Sequence, residues 1–80
     1  MSRCRWSAEF MAGTGGFMCK EEITSEWFQS KEEAKKDADQ NAEQEVIDFP
    51  FSRGRILRLI LEDEDGKVTE LMGVLREHGK

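Results

Sequence analysis

Between Arg55 and Leu75 an acidic turn, Glu64-Asp65-Gly66-Lys67, separates two apolar runs. No other stretch constrains the fold as tightly. Ile56-Leu57 and Leu59-Ile60-Leu61 precede the turn, and Val68, Leu71, Met72, Val74 and Leu75 follow it. Two β-rich runs around Asp-Gly are the pattern of a β-hairpin. With Asp65-Gly66 as a two-residue turn, the spacing predicts strands over Arg55–Glu62 and Val68–Leu75, with Ile60 opposite Leu71. A helix over the second run also fits Val68, Leu71, Met72 and Leu75, but Gly73 would cost it about 1 kcal/mol and no N-cap precedes Val68.

The first half predicts another hairpin. Cys4, Trp6, Ala8 and Phe10 alternate with Arg3, Arg5, Ser7 and Glu9 through Arg3–Met11, as a half-buried strand requires. Ala12-Gly13-Thr14-Gly15-Gly16 supplies a turn, and Phe17–Thr24 resumes as a second strand. The glycine run leads into a strand and lacks the Gly-Lys-Ser/Thr ending of a phosphate cradle. A hairpin centred in Ala12–Gly16 sets Cys4 opposite residue 24 or 25 and Cys19 opposite residue 9 or 10. The two thiols are then out of register and are expected to be reduced and half-buried.

Trp27 and Phe28 are expected to fold over one end of the core. Ser30-Lys31-Glu32-Glu33 is a capping box that starts a helix. Ala34, Ala38 and Ala42 form a narrow stripe of small side chains, suited to close packing on a sheet. Pro50 then suggests an extended connector or edge strand over Val46–Gly54, with Ile47, Phe49 and Phe51 plugging the core.

These elements give a single α+β domain over residues 1–80, a four-stranded antiparallel sheet in the order ββαββ with one helix packed on one face. A 38% apolar content with two Trp and five Phe is ordinary for a folded chain. No apolar run approaches the ~20 residues of a membrane span, and residues 1–11 lack a secretory apolar core, so the expected compartment is the cytosol. Two cysteines and His78 give no zinc-ligand spacing. Aligning Gly66 with the glycine of a calcium loop puts Leu61 and Met72 at ligand positions, so neither a metal nor a cofactor is expected. No acid–histidine spacing supports a triad, and no catalytic residues are expected.

The net charge of −5 is uneven. Residues 20–45 hold nine acids against four lysines, whereas Arg3, Arg5, Arg53, Arg55, Arg58 and Arg76 lie in or beside strands. One helix about 10 Å wide cannot cover a sheet about 19 Å across. Leu57, Leu59, Leu61, Met72 and Val74 are expected on the helix side, leaving Ile56, Ile60, Leu71 and Leu75 together on the other. That exposed cluster predicts a protein interface, with a homodimer through the sheet face or the last hairpin's edge. The alternative is nucleic-acid binding through Arg3, Arg5, Arg53, Arg55 and Arg58.

Gly15-Gly16-Phe17, a strand, then Ser30-Lys31-Glu32-Glu33-Ala34 with Ala38 and Ala42 resembles the partial RNase-H-like domain of HicB-type antitoxins, and other small bacterial ββαββ domains, over residues 3–45. The resemblance implies a dimerising, non-catalytic domain whose partner is a small ribonuclease toxin. The chain departs from that family in lacking a DNA-binding segment after the sheet and in its acidic Glu62–Asp65 turn.

Overall fold

A computed structural model describes residues 3–72. Strands β1 (Cys4–Thr14), β2 (Phe17–Thr24), β3 (Ser52–Asp63) and β4 (Val68–Met72) form one antiparallel sheet in the order β2-β1-β3-β4. Between β2 and β3, α1 (Lys31–Asp37) runs through a π-helical turn (Ala38–Ala42) into α2 (Glu43–Asp48). The architecture is ββαββ, as the two hairpins and the capped helix predict.

The alternation of β1 decides where the core lies. Cys4, Trp6, Ala8, Phe10 and Ala12 are all buried beneath the helix, against Leu59 and Leu61 of β3. The large side chains among them contribute roughly 1.5–3 kcal/mol each when fully buried. Ser30 caps the helix, its Oγ accepting the Glu33 N–H at 3.2 Å. Ala34, Ala38, Ala42 and Val46 are buried along one stripe. Positions four apart drift about 40° per step around an ordinary α-helix. The wider i→i+5 turn takes up one extra residue and returns Val46 to the sheet. Val46 therefore belongs to the helix, which continues to Asp48, and not to an extended connector.

The link to β3 is only Phe49–Phe51. Phe49 packs edge-on against Phe10, with centroids 4.9 Å apart, whereas Ile47 and Phe51 are exposed and plug nothing. Phe28 closes the other end, bridging backbone to backbone with Cys4.

Both hairpins differ in register from the sequence-based expectation. The first turns on Gly15-Gly16, so Thr14 pairs with Phe17 and Cys19 faces Ala12. Cys4 is buried and Cys19 exposed, both as free thiols. Gly13, at φ 156°, passes so close to β2 that a Cβ there would sit 1.9 Å from the Phe17 carbonyl oxygen.

The last hairpin uses a three-residue loop. Gly66 N–H donates to the Asp63 carbonyl and Asp63 N–H to the Lys67 carbonyl, with Gly66 at φ 90°. This is a β-turn completed by a glycine of positive φ. Relative to a two-residue turn the register slips by one, so Ile60 pairs with Glu70 and not with Leu71. A slip of one exchanges the faces of a strand.

Candidate interaction surface

The slip, together with a bulge, rearranges the expected interface. Glu9 pairs with Arg58 but Phe10 with Ile56, leaving Leu57 as the extra residue of a bulge in β3. Ile56 therefore turns to the helix side, where it and Leu71 pack against the core cluster. Leu57, expected on the helix side, lies instead on the outer face beside Met11 and Met18. Ile60 remains on the outer face among Ser7, Glu9, Glu22 and Arg58. Leu75 and Val74 fall outside the described residues. Ile56, Ile60 and Leu71 thus do not form one patch.

In its middle and at the end nearer Arg3, the outer face carries a polar ladder. Arg5 Nη2 lies 3.0 Å from Glu62 Oε1, and Arg58 Nε lies 2.8 Å from Glu70 Oε2. Ser7 and Thr24 hydroxyls share a hydrogen bond at 3.2 Å. Beyond the ladder, Arg3 grips the hairpin turn. Its backbone N–H donates to Glu64 Oε1 at 2.9 Å and its Nε to Oε2 at 2.8 Å. These bonds hold the Glu64 carboxyl below its ordinary pKa, the backbone N–H contributing most. Trp27 lies under both Arg5 and Arg3, with guanidinium carbons 4.4 and 5.8 Å from the ring centroid. Arg3, Arg5 and Arg58, expected to bind nucleic acid, are thus each matched to a carboxylate.

The opposite end of the sheet differs in character. Met11, Met18, Leu57, Arg53 and Arg55 line a shallow depression of about 340 Å³, with Arg53 Nη2 3.9 Å from Met18 Sδ. Phe17 is 81% exposed and Phe51 68% exposed, and both flank the Gly13–Thr14 stretch. Ile47 lies close by, against Gly54. Phe51 is held at φ 61°, its carbonyl accepting the Gly13 N–H at 3.0 Å. A bulky residue in the left-handed region costs about 1–2 kcal/mol. The sequence showed Phe17 and Phe51 only as apolar residues in phase with a core, and nothing in it signalled their exposure.

Burial, aided by the nearby Asp63, pushes the Cys4 thiol above its ordinary pKa, which keeps it protonated and a poor nucleophile. Among the described residues, no group of three or more His, Cys, Asp or Glu side chains is placed to hold a metal. No helix there is long and apolar enough to cross a membrane. Comparison with protein-family models, curated proteins and solved structures finds no match.

Proposed function

We propose that the chain is a cytosolic, non-catalytic protein-interaction module that docks a partner through the end formed by Met11, Phe17, Met18, Phe51 and Leu57. The observation that carries this reading is Phe51. Its aromatic side chain is left mostly in solvent, on a backbone whose conformation disfavours it. Strain retained at an exposed side chain is the mark of a contact residue. Its neighbours supply the rest of a docking surface, since Phe, Met and Arg are the residue types enriched where proteins meet. Arg53, exposed at the same end beside Met18, favours a partner segment that carries carboxylates beside its apolar side chains.

The test is a photoreactive amino acid placed in living cells at position 51 or 57, with Lys35 on the exposed helix as control. Protein adducts are expected from 51 and 57, lost when Leu57→Glu is added to the position-51 variant. Adducts as strong from position 35, or crosslinks to nucleic acid instead of protein, would sink the proposal.

A further inference from the structure

Among the described residues strand β2 is an edge of the sheet, with β1 as its one neighbour. It pairs continuously with β1 from Thr14–Phe17 to Ser7–Thr24, contains no proline, and is exposed at every residue but Met18 and Ile23. The helix packs chiefly on β1 and β3, with Ile23 the residue of β2 that reaches the core.

Two hydrogen bonds fix which groups point outward. Ser25 N–H donates to the Trp6 carbonyl, on the β2 side, and Gly13 N–H to the Phe51 carbonyl, on the β3 side. Even-numbered residues of β1 therefore bond to β2 and odd-numbered ones to β3. Across the hairpin, Cys19, Glu21 and Ile23 direct their backbone groups to β1, while Met18, Lys20, Glu22 and Thr24 direct theirs to the open edge.

We propose that a second copy of this chain fills that edge, β2 antiparallel to β2, about a two-fold axis normal to the sheet and centred on Glu21. Such an axis keeps the faces of both sheets aligned, and residues directly opposite must share a face. Only pairings of two even or two odd positions satisfy both conditions. A centre at Lys20 sets lysine against lysine and Met18 against Glu22. A centre at Cys19 sets Lys20 against Met18 and Phe17 against Glu21. A centre at Glu22 sets Glu22 against itself and Glu21 against Ile23.

The Glu21 centre alone matches the side chains. Lys20 of each copy faces Glu22 of the other, twice by symmetry, on the outer face. Cys19 faces Ile23, also twice, on the helix side, and Met18 faces Thr24. Lys20, Glu21 and Glu22 therefore allow one register and disfavour its neighbours, as charges on an edge strand do. The one opposed like pair, Glu21 with its copy, is solvated on both sides. The pairing completes about eight backbone hydrogen bonds and joins two four-stranded sheets into one. Met18 belongs to both contacts, but Arg53, Phe51 and Leu57 take no part in the pairing, so Leu57→Glu tests the docking end alone.

The experiment uses the full chain in sedimentation equilibrium and in oxidative crosslinking. Wild type is expected to dimerise at micromolar concentration. Lys20→Glu is expected to weaken the dimer by about tenfold or more, and Lys20→Glu with Glu22→Lys to restore it, while Leu57→Glu leaves it unchanged. At the two-fold centre the Cα atoms of opposed residues lie about 4.5 Å apart, within disulfide reach. Glu21→Cys with Cys19→Ser is therefore expected to crosslink between copies. The wild-type Cys19 thiols, about 13 Å apart, are not. Circular dichroism confirms that each variant is folded. A monomer at every concentration, a dimer indifferent to the charge swap, or crosslinking through Cys19 would each overturn the proposal.

Discussion

Arg58 Nε stands 2.8 Å from Glu70 Oε2 across the last hairpin, at the level of the sheet where a two-residue turn would have brought Leu71 opposite Ile60. One residue in the turn makes the difference. The three-residue loop closed by Gly66 slips the register, so Glu70 meets the outer-face arginine and Leu71 packs against the core. The bulge at Leu57 exchanges Ile56 and Leu57 in the same way. The outer face of the sheet therefore sets ion pairs around Ile60 in its middle, with Met11, Met18 and Leu57 at one end and the exposed Val68 paired with Glu62 at the other.

The grip of Arg3 on Glu64 predicts an acid-sensitive contribution to stability. The carboxyl's pKa is lowered in the folded chain. Its contribution is therefore present above the unfolded value, about 4.3, and lost as pH falls through the folded one. Denaturant melts from pH 6 to 3 should show wild type losing stability over this window more steeply than Glu64→Gln. Identical pH profiles would contradict the role given to this contact.

The close pass at Gly13 predicts a sharp contrast within one turn. Gly13→Ala, whose Cβ would meet the Phe17 carbonyl oxygen at 1.9 Å, should cost about 2–4 kcal/mol. Gly16→Ala meets nothing within 4 Å and should stay within about 0.5 kcal/mol of wild type. Urea melts of the two variants measure the difference.

The π-helical turn predicts that the helix can lose a residue. Deleting the exposed Gln40 brings Ala34, Ala38, Ala42 and Val46 to i, i+4, i+7 and i+11, the stripe of a regular α-helix. The same four side chains then stay buried with an ordinary turn in place of the wide one. The deletion variant should fold, with a thermal midpoint within about 5 °C of wild type. A loss above about 2 kcal/mol would show that the turn is required in its own right.

Phe51 predicts a trade between stability and binding. Phe51→Gly removes the left-handed strain at the cost of a more flexible unfolded chain, for a net gain of about 0.5–1 kcal/mol. The same variant should lose the crosslinks formed from position 57. A destabilised variant in urea melts would mean that the aromatic ring serves the fold.

The parts of this fold legible in the sequence are those set by local chemistry. Ser30 and Glu33 mark the helix start, the alanines mark its packed stripe, and the alternation from Cys4 to Phe10 marks the buried face of β1. The rest depended on choices that neighbouring residues do not encode. Asp65-Gly66 suits a two-residue turn as well as the end of a three-residue loop, and the bulge at Leu57 shows only in how β3 pairs with β1. Pro50 suits an extended connector as well as a helix end, and Val46 lies one further step of four along the alanine stripe. The turn and the bulge each moved a large apolar side chain across the sheet, so the fold class was readable while the interaction surface was not.

The position of the exposed apolar surface is tested most directly by amide-resolved NMR of the chain titrated with a small apolar cosolvent such as isopropanol. Shift changes should gather at Met11, Phe17, Met18, Phe51 and Leu57 and spare Ile60 and Leu71. Changes centred on Ile60 and Leu71 would contradict the account.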